Sequence, residues 1–157
     1  MKNKILSIAL GLLIMAIGTT TYAGDKTPGT KLTATEKVLK SFNNQFKTSI
    51  KPTLHSIMDG FVVQLTDENR EITSTYDRKG NWVYTIQRYP HESLSKDIID
   101  IVNSNYECKG SFISTMEKVD QPGNETVYVV YIEGRDSFKT VRVVNNEVEL
   151  ISNFQKG

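Results

Sequence analysis

The sequence predicts an α+β fold of two tandem units, in each of which a helix precedes a four-stranded antiparallel sheet. Apolar side chains recur at helical spacing in two separate segments of the chain. Elsewhere after Pro52, apolar and polar residues alternate with a period of two, and turn residues interrupt the alternation at short intervals. A helix packed on each sheet would bury the apolar side chains of both and leave the other sheet face free.

The first helix is predicted from its start signal and its apolar stripe. Thr33 and Glu36 have the spacing of a capping box at a helix N-terminus. The apolar side chains that follow at helical spacing are Leu39, Phe42 and Phe46. We therefore expect a helix from about Ala34 to Phe46.

Four strands are predicted between Pro52 and Pro90, separated by turn residues. Their expected ranges are Thr53–Met58, Phe61–Thr66, Arg70–Tyr76 and a strand that contains Trp82, Tyr84 and Ile86. The turns between them are Asp59-Gly60, Asp67–Asn69 and Asp77–Gly80. Because side chains alternate between the two faces of a strand, Trp82, Tyr84 and Ile86 are predicted to share one face.

The second half of the chain repeats this order. A second helix is expected after Pro90, capped by Ser93 or Ser95 and ending at Asn103–Asn105. Its apolar stripe is Leu94, Ile98, Ile101 and Val102. The four strands that follow are predicted at about Ser111–Val119, Thr126–Glu133, Ser137–Val144 and Glu147–Asn153. The pattern leaves open whether the two halves share one continuous sheet.

The N-terminus is typical of a secretory signal peptide. Lys2 and Lys4 precede an apolar run, Ile5–Ile17, which is too short to span a bilayer as a helix. Small residues then lead to a predicted cleavage site after Ala23. We therefore expect a periplasmic or secreted protein.

The chain is thus expected to contain three regions. Residues 1–23 are the signal peptide, and residues 24–33 form a flexible polar leader. Residues 34–157 are the α+β domain, with half-repeats at about 34–90 and 91–157.

Charge and cysteine content restrict the partners and the chemistry. Removal of the signal peptide changes the formal net charge from +1 to −1, because it takes away Lys2 and Lys4. A nearly neutral chain has no electrostatic reason to bind nucleic acid or, after cleavage, a membrane surface. Cys108 is the only cysteine, so no intramolecular disulfide can form, and we expect its thiol to be buried beside Tyr106 and Phe112.

Two turn motifs resemble those of a known family. Asp59-Gly60-Phe61-Val62-Val63 is followed by Tyr76-Asp77-x-x-Gly80-Asn81-Trp82, and then by a helix and Tyr106. This pattern is similar to the PepSY-like family of secreted Bacteroidetes proteins, which is described as like the β-lactamase inhibitor protein. The resemblance extends over about residues 37–154. It implies a β-lactamase-inhibitor-protein-like fold and a small periplasmic protein that binds another molecule, with no catalytic residues.

The sequence contains none of the residue groupings that are typical of a catalytic site. The two histidines, His55 and His91, have no evident partner, whereas an acid–base or metal site needs several such groups together. No serine lies in a nucleophile elbow, and no glycine-rich phosphate loop is present. We therefore predict a protein that is not an enzyme and needs no cofactor or metal. His91-Glu92 is expected to be solvated near a helix N-terminus.

Aromatic side chains are the candidate binding residues, because rigid aromatic groups often anchor interfaces. The predicted set is Tyr76, Trp82, Tyr84, Tyr89, Tyr128 and Tyr131. Trp82 is also expected to fill the core, and Tyr128 and Tyr131 to lie on opposite faces of one strand. The leading hypothesis is a binding or inhibitory module that holds another periplasmic or extracellular protein or peptide on a sheet face. The alternatives are a carrier or sensor of a small ligand held between helix and sheet, and a hydrolase.

Overall fold

The structure is a computed structural model that describes residues 32–106 and 110–157. The predicted signal peptide, nearly all of the predicted leader and Cys108 lie outside these residues, so the expectations about them remain predictions. Within the described ranges, no helix is long and apolar enough to cross a membrane.

The domain contains two α-helices and eight β-strands in the predicted order. Helix α1 (Ala34–Phe46) precedes strands β1 (Thr53–Ile57), β2 (Gly60–Thr66), β3 (Glu71–Asp77) and β4 (Trp82–Pro90). After a 3-10 turn (His91–Ser93), helix α2 (Lys96–Asn105) precedes β5 (Phe112–Asp120), β6 (Val127–Glu133), β7 (Ser137–Val144) and β8 (Glu147–Gln155). The strand bounds predicted from the sequence agree with these to within two residues. Ser95 is the N-cap residue of α2, although its side chain makes no capping hydrogen bond.

All eight strands belong to one sheet. Each strand pairs antiparallel with the next along the chain, in the order β1-β2-β3-β4-β5-β6-β7-β8. The two halves are joined where β4 pairs with β5, from Thr85 opposite Asp120 to Pro90 opposite Thr115. The two halves of the chain therefore share one continuous sheet, which the sequence pattern had left open. A division into two four-stranded sheets is not confirmed.

Both helices pack on the same face of this sheet, over two separate apolar cores. Under α1, Val38 and Phe42 pack against side chains of β2 and β3, among them Val63 and Ile72. Under α2, the core is formed by Ile98, Val102, Ile113, Met116, Val130, Ile132, Val141 and Val143. We call this the helix face. The two cores share no buried side chain.

A partly buried polar network occupies the helix face between the two cores, close to where the halves join. Its centre is Gln87, which is 5% exposed. Arg70 Nη1 and the Tyr89 hydroxyl donate to Gln87 Oε1 at 2.6 and 3.2 Å, and Gln87 Nε2 donates to Asp120 Oδ2 at 3.3 Å. The network satisfies the amide of Gln87, as burial of a polar group requires.

The second turn motif positions α1. Asp77 Oδ1 accepts hydrogen bonds from the backbone N–H groups of Lys79 and Asn81, both at 2.8 Å. Lys37 of α1 donates from Nζ to the Lys79 carbonyl (3.1 Å) and to Asn81 Oδ1 (2.7 Å). Gly80 has a positive φ of 75°, and a Cβ there would lie 3.0 Å from the Ala34 carbonyl. The motif therefore has a structural role. It closes the β3–β4 hairpin, and its hydrogen bonds with Lys37 hold the first turn of α1 in position.

The first turn motif depends on close backbone approach at Gly60. A Cβ at this position would lie 1.9 Å from the carbonyl oxygen of Tyr76, on the neighbouring strand β3. No side chain can be accommodated without moving one of the two strands. The glycine after Asp59 is thus required by the β2–β3 pairing as well as by the hairpin.

The prediction that Trp82, Tyr84 and Ile86 share one face of the sheet is wrong for Trp82. The β3–β4 register shifts at a bulge, so that Tyr76 is opposite Trp82 while Thr75 is opposite Tyr84. Trp82 consequently lies on the helix face, where it packs against the α1 core and donates from Nε1 to Thr85 Oγ1 at 2.9 Å. One extra residue in a strand reverses the face of everything beyond it, and sequence alternation cannot reveal this.

Substitution Gly60→Ala should lower the free energy of unfolding by about 2–4 kcal/mol, because the added methyl group overlaps backbone and forces β2 and β3 apart. Gly123→Ala is the matched control: Gly123 also has a positive φ, but no atom lies within 4 Å of its Cβ position. It should cost about 1 kcal/mol of backbone strain. Urea unfolding of the two variants measures the difference, and equal losses would show that steric overlap does not matter at Gly60.

Candidate functional site

The face of the sheet opposite the helices is the candidate site. We call it the open face, because neither α1 nor α2 packs on it and most of its central side chains are partly exposed. The strand register arranges these side chains in rows that cross the sheet. Three of these rows differ in chemistry: one is charged, one is mainly aliphatic and one contains three phenylalanines.

The charged row crosses the middle of the open face. From β3 to β8 its members are Glu71, Arg88, Glu117, Val129, Arg142 and Glu149. Acidic and basic side chains alternate wherever two of them are neighbours. Arg142 Nη1 donates to Glu149 Oε2 at 3.2 Å, in an exposed pair. The charges of the row are therefore largely paired within the protein.

Glu117 is the centre of the charged row, and it is only 3% exposed. Arg88 donates to Glu117 Oε1 from both Nε and Nη2, and the Tyr131 hydroxyl donates to Glu117 Oε2 at 3.4 Å. The hydrogen bond to Glu117 raises the pKa of the Arg88 guanidinium. Burial, reinforced by the Glu117 charge, raises the pKa of Tyr131. Both partners of the buried carboxylate thus hold their protons at neutral pH.

The aliphatic row lies beside the charged row. Its paired members from β3 to β6 are Thr73, Ile86, Val119 and Val127. On β7, Val144 follows Val143, the partner of Tyr128, and is itself opposite the exposed Glu147 of β8. Tyr84 lies two residues before Ile86 on the same face of β4, and it is partly exposed like the members of the row. This row gives the open face an uncharged strip that extends across both halves of the sheet.

The phenylalanine row lies at the end of β5 to β8. Phe112 is opposite Glu133, Glu133 is opposite Phe138, and Phe138 is opposite Phe154. The three rings are 52%, 47% and 66% exposed. Lys156 lies with Nζ 4.3 Å from the centre of the Phe138 ring and pairs with Glu133 at 2.9 Å.

Sequence reasoning missed the phenylalanine row. A regular hairpin around Asn145-Asn146 would put Phe138 and Phe154 on opposite faces of the sheet. A bulge in β8 between the partners of Thr140 and Val141 changes the register and brings both rings to the open face.

The structure separates the six predicted aromatic residues into two groups. Tyr84 and Tyr131 lie on the open face, whereas the helix-face residues are Tyr76, Trp82, Tyr89 and Tyr128. Tyr128 and Tyr131 are on opposite faces of β6, as predicted. Tyr76 is 1% exposed, and burial raises the pKa of its hydroxyl. Tyr89 and Tyr128 pack against the α2 core.

The histidines are not brought together. His55 is on β1, and strands β2 and β3 separate it from β4, after which His91 follows. His91 Nδ1 lies 2.7 Å from the carbonyl oxygen of Ile113, and its ring meets Phe112 edge-on at 6.0 Å. In the two described ranges, no three His, Cys, Asp or Glu side chains are grouped so that they could hold a metal ion.

The overall arrangement is shared with solved structures. The sequence matches no protein-family model and no curated protein. A BLIP-like (β-lactamase-inhibitor-protein-like) protein of Bacteroides fragilis superposes with a TM-score of 0.55 and 13% identity, over 82% of this chain and 92% of that one. The fold is BLIP-like.

Two further structures of Bacteroides proteins share it. A DUF2874 family protein of Bacteroides ovatus has a TM-score of 0.56 and 12% identity, over 84% of this chain and 89% of that one. A protein of Bacteroides eggerthii provisionally named as periplasmic has a TM-score of 0.56 and 7% identity, over 76% of this chain and 87% of that one. At these identities the likeness shows the BLIP-like fold, and it does not identify the chain as PepSY-like.

Removal of Arg88 should destabilise the protein more than neutralisation of Glu117. In Arg88→Leu the carboxylate remains buried without its cation, at an expected loss of about 2–4 kcal/mol in unfolding free energy. In Glu117→Gln the remaining cation, whose side chain is half exposed, can be hydrated, so the loss should be smaller. Urea unfolding of both variants and of the double variant tests this; a larger loss in Glu117→Gln would contradict it.

The raised pKa of Tyr131 predicts alkaline destabilisation. Its folded-state pKa is above the unfolded value of about 10, so the neutral phenol stabilises the folded state below that pH. This stability is lost as the pH rises through the folded-state pKa. Thermal unfolding between pH 8 and 11 should therefore show a smaller fall in Tm for Tyr131→Phe than for the unmodified protein. An equal fall would exclude a role for Tyr131.

Proposed function

We propose that this protein is a non-catalytic periplasmic binding module that holds another protein or peptide on the open face. The observation that carries the proposal is the composition of that face. The aliphatic row and Tyr84 provide an uncharged strip, and the neighbouring charges pair internally as Arg88–Glu117 and Arg142–Glu149. A partner can cover such a surface without stripping water from unpaired charges, which is the largest desolvation penalty in an interface.

The rigid side chains of this strip suit it to docking. Tyr131 is held by its hydrogen bond to Glu117, and β-branched valines on neighbouring strands have few rotamers to lose. Little conformational entropy is therefore lost when a partner binds. Tyr84 and Tyr131 are the members of the predicted aromatic set that we retain as contact residues.

The N-terminal sequence, the structural neighbours and the internal repeat support the proposed location and the proposed class of protein. The signal-like N-terminal sequence and the periplasmic name of one structural neighbour favour the periplasm. The BLIP-like neighbour favours a protein partner over a substrate. We also infer, from the repeated element order and the two separate cores, that the chain is a tandem repeat of helix-plus-four-strand units in a PepSY-like protein.

Two clefts of the described residues lie away from the helices, which favours open-face docking over a ligand carried between helix and sheet. One cleft of ≈ 200 Å³ lies beside the β2–β3 turn and is lined by residues such as Asp67, Arg70 and Arg88. Another of ≈ 520 Å³ lies at the β7–β8 turn and is lined by residues such as Glu125 and Arg142. Neither cleft is lined by a residue of α1 or α2.

The proposal is tested by affinity capture from periplasmic extract with open-face variants. Ile86→Lys places a charge in the aliphatic row, and Tyr84→Ala removes an aromatic contact. Each should weaken retention of a specific partner at least tenfold, since interface hot spots contribute about 1–2 kcal/mol or more.

Met58→Ala is the matched control, because Met58 is 84% exposed at the β1–β2 turn and lies away from the rows. It should retain the partner fully. Circular dichroism melting must show that all three variants remain folded. A partner retained equally by Ile86→Lys and the unmodified protein would exclude the open face as the docking surface.

A further inference from the structure

The two edges of the sheet differ in length and in protection. Strand β1, at one edge, has five residues and directly follows Pro52. Strand β8, at the other edge, has nine residues, and among the described residues no strand lies beyond it. Exposed backbone at a sheet edge can pair with another strand, and proteins usually protect long edges with proline or charge.

Strand β8 instead exposes apolar side chains along its length. Leu150, Ile151 and Phe154 are 44%, 54% and 66% exposed. Ile151 is the extra residue of the β8 bulge, which divides the edge into two regular runs of backbone. The bulge limits regular pairing to one run at a time. Glu147 and Glu149 give charge to the run near the β7–β8 turn, whereas the run Ser152–Gln155 contains no charged side chain.

The two ends of the β8 edge differ in charge. At the Phe154 end the charges are balanced, because Lys156 pairs with Glu133 beside Phe138. At the β7–β8 turn, Glu125, Glu147 and Glu149 line the cleft of ≈ 520 Å³ with Arg142 as their only basic neighbour in the lining. The end of the edge at the β7–β8 turn therefore has a net negative charge. A partner strand that is basic at one end is favoured in the orientation that places this end at the β7–β8 turn.

We propose that β8 accepts an extended strand from another protein, as a ninth strand of the sheet. The added strand pairs with the run Ser152–Gln155, places an apolar side chain against Phe154, and places a basic side chain near Glu147 and Glu149. Phe154 and Glu147 are seven positions apart on β8, but the bulge residue Ile151 takes up one of these, so their partners on β7, Phe138 and Val144, are six positions apart. On a regular partner strand the apolar and basic groups are therefore six positions, or about 20 Å, apart and project from the same face.

A second copy of the chain is a poorer occupant of the edge. Its own β8 contains Glu147 and Glu149 and no basic residue. The nearest lysine, Lys156, is already paired with Glu133. The charge of the edge thus favours a basic partner strand. The inference shares Glu149 with the charged row, and it uses no residue of the aliphatic row.

Fluorescence anisotropy with defined peptides tests the inference. The probe is an extended peptide of alternating threonine and valine, with phenylalanine near one end and lysines four and six residues away, so that all three project from the same face. One comparison peptide has glutamates in place of the lysines, and another has a proline in the centre that prevents strand pairing. The lysine probe should bind at least tenfold more tightly than either, and its affinity should fall with added salt.

Protein variants identify the surface that binds the probe. The double variant Glu147→Lys/Glu149→Lys should prefer the glutamate peptide, and Phe154→Ala should weaken binding of both charged peptides at least fivefold. Ile57→Ala is the matched control, because Ile57 is an apolar residue, 44% exposed, on the opposite edge. It should leave binding unchanged.

Each contrary result overturns the inference. Equal binding of the lysine and glutamate peptides, or of the proline peptide, would exclude a charge-directed strand at β8. A dimer in light scattering that Phe154→Ala dissociates would make a second copy the occupant. If the peptides fail while capture of a periplasmic partner remains sensitive to Ile86→Lys, the edge inference fails and the open-face function stands.

Discussion

The structure depends on the fact that one sheet of eight strands is buried on one face only. The sheet is about 34 Å across, from strands about 4.8 Å apart, whereas each helix is about 10 Å wide. Two helices cannot cover such a width with one apolar core. The chain instead forms a separate core under each helix and fills the space between them with a polar network around Gln87. The backbone hydrogen bonds of the β4–β5 pairing then join the halves.

The same constraint determines the character of the open face. With both helices on one side, every second side chain of every strand must tolerate water. The chain meets this requirement with threonines, valines, tyrosines and internally paired charges, so the face is only weakly polar. The buried Glu117 is an exception that its neighbours explain, because Arg88 and Tyr131 satisfy both of its oxygens. A surface of this kind is compatible with water, and covering it with a partner costs little desolvation free energy.

Local sequence signals predicted the elements well. The capping box at Thr33 and Glu36 is present as expected, and period-two alternation located all eight strands. These signals act within a few residues of one another. The left-handed backbone conformation of Asn145 and Asn146 at the last hairpin likewise follows from the preference of asparagine for that conformation.

What the sequence could not predict was long-range register. The strand pairs β3–β4, β5–β6 and β7–β8 each contain a bulge that no local sequence pattern marks, and each bulge reverses the faces of the residues beyond it. Trp82 was therefore expected beside Tyr84, and the phenylalanine row was not expected at all. The continuity of the sheet depends on pairing between β4 and β5, which lie on either side of a helix, and alternation within a strand does not determine its neighbour.

The separation of the two cores has an evolutionary consequence. A volume change in one core requires compensation only from side chains that touch it, and none of these belongs to the other core. Each half can therefore accumulate substitutions at its own pace, while the shared backbone ladder preserves the architecture. The BLIP-like fold of the structures that match most of this chain is accordingly compatible with identities of only 7–13%.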